Sequence, residues 1–413
     1  MTKQDNGRRA GSRAWMAAAI AATLVLGGCS TIRNVFDGRG KDRSGEPAEL
    51  VAVTPTATAS RLWSMELGGA PSQASKWTLG LGGRKKSGWY GVGSRAAIVD
   101  GHVYAAGLSG RVVAVDLRSG STLWTQPLGL VLTSGAGAGE GVVAVGGIEG
   151  DVVALDAATG SEKWRANVGN EVLVAPAVGG GMVFVRGNDG RVTAFDAATG
   201  ERRWFHSAEI PALTVRGNGG ITVGPGLVFS AGDNGTVTAL SATDGNVLWS
   251  TAVAQQDGRS ELDRMADLDG LVVLDGTTLY ATSYKKRTMA IDGPSGQPMW
   301  ERENGGPGGL GLATDRLVVT EHDGVVWALD RASGGSLWQQ PGLKNRVTTA
   351  PAVHGDYAVV GDYQGYLHWL RLSDGAFAAR LDAGDAIRGQ PVVGDGVLVV
   401  QTVDGTLSAF SVQ

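Results

Sequence analysis

The segment Val153-Ala154-Leu155-Asp156-Ala157-Ala158-Thr159-Gly160-Ser161-Glu162-Lys163-Trp164 carries a skeleton that recurs along the chain: Asp, three residues, Gly, three residues, Trp. Copies stand at Asp116/Gly120/Trp124, Asp196/Gly200/Trp204, Asp292/Gly296/Trp300 and Asp330/Gly334/Trp338. A sixth copy has Ser241 in place of the Asp, followed by Gly245 and Trp249, and a seventh is eroded to Arg371/Gly375/Ala379. Trp124, Trp164 and Trp204 are spaced by 40 residues. A fixed period of that length marks a repeat architecture and has to be explained before any isolated motif is given meaning.

Within one period the pattern is strand, turn, strand. Val172–Val178 is apolar and runs into Gly179-Gly180-Gly181, and Met182–Arg186 is a second apolar run. Asp189-Gly190 follows, a dipeptide that favours a tight hairpin because its residues tolerate positive φ. Val192–Asp196 is a third strand, Thr199-Gly200 a turn, and Arg202-Arg203-Trp204 a fourth strand. Asn234-Gly235, Asp323-Gly324 and Asp404-Gly405 repeat the hairpin signal. Four short strands per unit at a period near 40 residues predict the blades of a β-propeller, an all-β fold.

The glycine that opens the third strand counts the blades. It stands at Gly110, Gly150, Gly190, Gly235, Gly324, Gly365 and Gly405, with Lys286 in the same slot of the remaining unit, which makes eight. The last unit ends at Ser411-Val412-Gln413 without a fourth strand, whereas Arg61-Leu62-Trp63 reads as a fourth strand with no unit of its own. The N-terminal strand is therefore expected to complete the final blade, closing the ring and removing an open sheet edge. A Trp at the equivalent position of successive blades points to packing between blades rather than to a ligand platform. The Asp with Thr-Gly reads as a turn device, its carboxylate accepting from nearby backbone N–H groups.

Glycine makes up 66 of 413 residues and falls at fixed repeat positions, so it is structural punctuation rather than low-complexity filler. Apolar residues are 43% of the chain, enough for a large core, and the net charge of −4 argues against a nucleic-acid polyanion as partner. The one cysteine, Cys29, excludes an internal disulfide and a cysteine-built metal site. It follows a basic stretch (Arg8, Arg9, Arg13) and an uncharged apolar run, Ala14–Leu26, too short to span a bilayer, which needs roughly 20 residues. That is the plan of a signal peptide. Leu26-Gly27-Gly28-Cys29 resembles the bacterial lipobox, in which cleavage precedes a lipidated cysteine, and Ser30 at the next position resembles the outer-membrane default. Ala10-Gly11 after the arginine pair does not fit a twin-arginine signal. Residues 1–28 are thus expected to be a lipoprotein signal peptide, residues 29–58 a polar tether carrying acyl chains on Cys29, and residues 59–413 the propeller.

Enzyme signatures are sparse. His102, His206, His322, His354 and His368 show no close metal-ligand spacing. Asp267-Leu268-Asp269-Gly270 looks like part of a calcium loop, but the frame would place Met265 and Gly276 at the first and twelfth ligand positions. Lys85-Lys86 lacks the Gly-Lys-Ser/Thr of a phosphate-binding loop, and no Gly-x-Ser-x-Gly elbow occurs. The stretch from Gly68 to Arg95, with Trp77, Trp89 and Arg84-Lys85-Lys86, carries no motif we can read.

The period breaks twice. From a Trp to the second strand of the next unit the chain normally takes 18 residues, as from Trp124 to Val142, but 23 from Trp204 to Leu227 and 29 from Trp249 to Thr278. Loops that depart from a repeat often carry the binding surface. The first insertion contains Ile210-Pro211-Ala212-Leu213-Thr214-Val215-Arg216-Gly217; in an extended chain Leu213 and Val215 project on one face and Arg216 on the other. In the second, Asp267 and Asp269 share a face suited to cations on a partner.

The repeat resembles the PQQ-like propeller repeat of quinoprotein dehydrogenases. The lipobox, eight such repeats and Gly361-Asp362-Tyr363-Gln364-Gly365-Tyr366-Leu367-His368-Trp369-Leu370 together resemble the BamB family of outer-membrane assembly lipoproteins, over roughly residues 24–413. That resemblance implies a non-catalytic scaffold without cofactor, held by lipid at the periplasmic face of the outer membrane. It implies a place in the β-barrel assembly (BAM) complex, binding the periplasmic domains of the insertase BamA, reaching other members through BamA, and assisting folding of outer-membrane proteins, whose unfolded strands could add to its sheet edges. It further implies that Leu213, Val215, Arg216, Asp267 and Asp269 form the contact with BamA, with Val215 where family members often have Leu. A periplasmic PQQ-dependent dehydrogenase is the alternative reading; such enzymes usually carry a vicinal cysteine pair, which this chain lacks.

Overall fold

The chain folds as the repeat predicts. In the computed structural model, residues 46–68, 95–211, 213, 219–257, 259–260, 264–306 and 308–413 are described. They contain strands and turns only. Eight sheets of four antiparallel strands make the blades. Blade 1 consists of Ala97–Val99, His102–Ala106, Arg111–Asp116 and Thr122–Pro127. Blades 2 to 7 repeat that order over residues 137–167, 177–206, 221–252, 273–302, 310–340 and 352–382. Blade 8 takes three strands from residues 392–412 and its outermost strand, Ala59–Glu66, from the N-terminal region. That strand pairs antiparallel with Thr406–Val412, from Ala59 opposite Val412 to Glu66 opposite Thr406. The ring is therefore closed by hydrogen bonds rather than by covalent continuity.

The repeated residues form one joint, used seven times. In blades 1 to 6 the Trp of the outermost strand lies directly opposite an Ala of the third strand, as Trp164 does opposite Ala154. The small side chain lets the indole lie flat and lean onto the next blade. There it covers the Gly of the next Asp-x-x-x-Gly turn and donates its Nε1–H to a carbonyl of the same turn. Trp124 donates to Ala157, Trp164 to Ala197, Trp204 to Ala242, Trp249 to Gly293, Trp300 to Arg331 and Trp338 to Leu372, at 2.7–3.1 Å. Trp63 in the closing strand donates to Leu117 at 2.9 Å. A Cβ on Gly160 would sit 2.7 Å from the ring of Trp124, so only glycine, here at φ 73°, allows the approach. The Asp caps the same turn: Asp156 Oδ1 accepts from the N–H of Ala158 and Thr159 and from Thr159 Oγ1. The Thr159 hydroxyl is the main reason its carboxyl is held below the usual range. Asp196, bonded foremost to the Arg203 guanidinium, is lowered to about 2.

Apolar packing follows the same logic. Each cluster spans two neighbouring blades, as where Tyr104, Ala114 and Trp124 meet Val143, Val153 and Leu155. The outermost strands carry a bulge at the residue before the Trp position: Leu62, Leu123, Lys163, Arg203, Leu248, Met299, Leu337 and Ala378. A bulge adds twist and interrupts the row of unpaired backbone groups, blunting an exposed edge.

One boundary differs from the sequence reading. Residues 47–58, expected to belong to the tether, lie in the same compact unit as the ring, Pro47–Gln413, and are hydrogen-bonded to it. Short, partly apolar segments look like linker in a sequence, since their partners are backbone groups that sequence does not announce. Lys286 sits at φ 59° in the slot that other blades give to Gly, as the count required.

Candidate partner-binding site

The two enlarged connectors leave the outer strands of blades 3 and 4 and enter the inner strands of blades 4 and 5. In an antiparallel blade this places them on the face that also carries the hairpins between second and third strands. Ile210 of the first connector packs near Gly190 of one such hairpin, 3.2 Å from where a Cβ would stand. The connector walls a cleft of about 250 Å³ between blades 3 and 4. At that cleft lies a buried ion pair, Arg186 with Asp233, at 2.7 Å. A buried pair of this kind costs several kcal/mol to break from one side and so fixes two blades in one relation. Burial also pushes His206 at the rim below its ordinary pKa. On this fixed base Ile210 is 40% exposed and Leu213 42% exposed. Two aliphatics held open on one loop form an apolar spot that water does not favour.

The second connector behaves differently. Val253, Ala254, Met265, Ala266 and Leu268 are buried. Val253 and Ala254 donate their N–H groups to Gly235, and Leu268 donates to Gly232. Tyr284 donates to the Asp267 carbonyl at 2.9 Å. Lys285 donates to the Asp257 carbonyl at 2.6 Å and pairs with its carboxylate. The described residues of this connector are thus laid back onto blades 4 and 5.

The candidate residues therefore do not form one exposed patch. Leu213 is exposed as expected. Val215, Arg216 and Cys29 lie outside the described residues. Asp267, expected on an exposed face with Asp269, is fully buried, and Asp269 is half-buried. The alternation argument assumes an extended segment with one side open; here the apolar neighbours Ala266 and Leu268 pull the backbone onto the ring and carry Asp267 with them.

A larger cleft, about 910 Å³, opens on the opposite face across blades 5 to 7. Its arginines are matched: Arg316 with Asp315, Arg331 with Asp275, and Arg371 with Asp374. Among the described residues no group of three or more His, Cys, Asp or Glu has a metal-holding arrangement. Sequence reasoning also missed a buried polar cluster in blade 7 around Asp362 and His368. Its one signal was a histidine in a strand position that blades 1 and 2 fill with Val113 and Val153.

Fold and site together define an eight-bladed propeller of PQQ-like repeats with two adjacent connectors enlarged on one face. The family model for "Outer membrane protein assembly factor BamB" matches residues 108–340 and 322–413. A protein of that description from Xanthomonas campestris pv. campestris is 49% identical over 400 residues, covering 94% of this chain and 95% of its own. The crystal structure of BamB from Moraxella catarrhalis superposes with a TM-score of 0.75 at 25% identity, over 86% of this chain and 100% of that one. The chain belongs to the BamB family. Quinohemoprotein alcohol dehydrogenase from Comamonas testosteroni shares the fold at a TM-score of 0.65 and 16% identity, over 85% of this chain and 76% of that one.

Proposed function

We propose that this protein is a non-catalytic scaffold of the outer-membrane β-barrel assembly complex, tethered through lipid on Cys29 at the periplasmic face, that binds BamA and assists folding and insertion of outer-membrane proteins. The observation that carries this is the 49% identity along nearly the whole chain to a protein described as an outer membrane protein assembly factor. The geometry supports it. A ring locked by seven indole joints is a stiff platform, and the first enlarged connector holds Ile210 and Leu213 exposed on it, on a face where Val347 and Tyr363 are exposed as well. The first connector, with Leu213, Val215 and Arg216, is the contact we assign to BamA. Asp269 is assigned to the same contact from the second connector, whose neighbouring Gly270 carbonyl accepts from the Gly220 N–H at the end of the first. Asp267 supports that connector from inside the fold. Unfolded strands would pair along the outer edges only over the short stretches on either side of each bulge.

Affinity capture from detergent-solubilised membranes tests the reading. BamA is expected to co-purify with the wild-type protein and to be lost on Arg216→Glu; a wild-type capture without BamA overturns it. The fold shared with quinohemoprotein dehydrogenases supports one second reading, an oxidoreductase using pyrroloquinoline quinone. Reduction of an artificial dye by quinone-reconstituted protein would replace the scaffold reading with that one.

A further inference from the structure

The buried polar cluster of blade 7 has a geometry that the scaffold reading does not use. His368 is fully buried. Its Nε2 lies 2.9 Å from Asp362 Oδ2, and its Nδ1 accepts from Arg380 Nε at 3.1 Å, so the ring is neutral with its proton on Nε2. Arg346 Nε donates to the same Asp362 oxygen at 2.7 Å and Arg346 Nη2 to Gln364 at 2.7 Å. Both guanidinium groups are thereby held in place, and each extends one further donor to backbone outside the repeat. Arg346 Nη1 donates to the Ala48 carbonyl at 3.0 Å and Arg380 Nη1 to the Val51 carbonyl at 2.8 Å. Ala48 N–H donates to Lys344, and Thr56 and Ala57 N–H donate to Ala378.

These contacts lay residues 48–57 antiparallel along the outer strand Phe377–Asp382. Ala378 lies toward the end with the third-to-fourth-strand hairpins. Lys344 lies in the connector between blades 6 and 7, on the face of the enlarged connectors. The direction matters because the closing strand begins, at Ala59, at the hairpin end of its blade. A chain released before Ala59 would leave the ring on the face opposite the enlarged connectors. The segment instead crosses the blade, a rise of about 3.3 Å per residue, and brings Pro47 to the connector face.

We propose that Arg346, Asp362, His368 and Arg380 form a clasp that fixes the exit of the membrane-anchored N-terminus on the connector face, so that anchor and insertase contact address the same side of the ring. The proposal rests on the lipidated Cys29 and the BamA contact of the preceding section. The clasp binds backbone carbonyls, so it is indifferent to most side chains of residues 48–57 and depends on the two arginines.

Hydrogen exchange of the full-length protein tests it, using Arg380→Met and Ala48→Pro. The first keeps an unbranched side chain against Phe377 and removes the donors to Val51 and His368. The second removes one N–H donor and leaves the ring untouched. The Thr56 and Ala57 amides, both bonded to the Ala378 carbonyl, are expected to exchange roughly tenfold faster or more in both variants, with the ring of Ala48→Pro melting as wild type. Cross-linking of anchored Ala48→Pro protein to BamA in native membranes is expected to fall several-fold. The same substitution in unlipidated Cys29→Ala protein is expected to leave capture from detergent extracts unchanged. Unchanged exchange in both variants overturns the clasp. An equal loss of capture with and without the anchor overturns the shared-face alignment. Wild-type protein that captures no BamA overturns the partner reading and the alignment with it, while the exchange result still decides the clasp.

Discussion

Trp369 stands directly opposite Ala379 across the third and fourth strands of blade 7, the reverse of the Ala-opposite-Trp pair in blades 1 to 6. The eighth indole has not been lost; it has moved one strand inward. The reason lies in the next blade. Blade 8 draws its third and fourth strands from opposite ends of the chain, so it has no hairpin whose glycine and carbonyl an outer Trp could cover. In the inner position Trp369 is fully buried, donates to His354 Nδ1 at 3.3 Å and packs edge-on against Phe410. Trp369→Ala is expected to destabilise the protein by about 3–5 kcal/mol, as for a buried aromatic truncation. The reversed pair Trp369→Ala with Ala379→Trp is expected not to recover it, because the outer indole would lack its acceptor. Denaturant unfolding of both variants decides; recovery in the double variant would show that position across the pair is immaterial.

The ordinary joint makes a complementary prediction. Gly200 lies under Trp164, whose Cγ and Cδ2 stand 2.7 Å from where a Cβ would project, and its φ is 73°. Gly200→Ala adds both a clash with the indole and a left-handed backbone penalty of roughly 1 kcal/mol or more. Its melting temperature is expected to fall. At Gly141, also at positive φ (76°) but with nothing within 4 Å of a Cβ, alanine is expected to cost only the backbone penalty. Equal losses at the two positions would remove the indole contact from the account.

Blade closure depends on Ala59–Glu66, which supplies the outer strand of blade 8 and the Trp63 bond to Leu117. Deleting residues 59–67 leaves Thr406–Val412 as a bare edge and breaks the joint to blade 1. A clear fall in melting temperature and a gain of oligomer by size-exclusion chromatography are expected. A wild-type melting temperature would mean that the ring does not need its closing strand.

The blade count, the closing strand and the packing role of the tryptophans were legible in the sequence because each repeats, and repetition separates architecture from accident. The reversed pair was visible only as two unrelated oddities, an eroded repeat at Ala379 and a Trp in the Gly361–Leu370 motif. Joining them needs the cross-strand register, which sequence does not state. Asp267 was misplaced for a related reason: alternation tells which residues share a face, not which face meets water. The clasp was illegible because Arg346 and Arg380 bind carbonyl groups of Ala48 and Val51, and any residue supplies a carbonyl.

Burial of histidine sets the expected response to pH. Burial first of all lowers His368, outweighing the hydrogen bond and charge of Asp362 that would raise it, and burial likewise lowers His354. The unfolded chain therefore takes up protons near pH 6.5 that the folded protein refuses. Stability from these groups is complete above that value and declines as pH falls below it. Asp362 is opposite in kind. Burial would raise it, yet the bonds from His368, the Tyr366 N–H and Arg346 outweigh burial and lower it. Its contribution is present above its unfolded value of 3.8 and is lost at lower pH still, as pH falls through the folded value. Melting temperature is expected to fall between pH 7 and pH 5.5, and less steeply in His354→Gln. A flat profile over that window would contradict the neutral, buried state of both rings.

The contact assigned to BamA separates residues by exposure. Leu213, 42% exposed, is expected to act on binding alone: Leu213→Asp should weaken capture of BamA without changing the melting temperature. Arg216→Glu is expected to weaken capture by about 2 kcal/mol or more, the size of a central interface residue. Asp267 is fully buried, so Asp267→Ala should act on the fold first, lowering the melting temperature and loosening the connector held at Gly232 and Tyr284. Any loss of capture should then accompany a loss of stability. Half-buried Asp269 tests the boundary: if its charge faces the partner, Asp269→Lys weakens capture at unchanged stability, with the loss diminishing at high salt. Capture weakened by Asp267→Ala at full stability would mean that the second connector opens to present its acid when BamA binds, and the laid-back loop would then be only the unbound form.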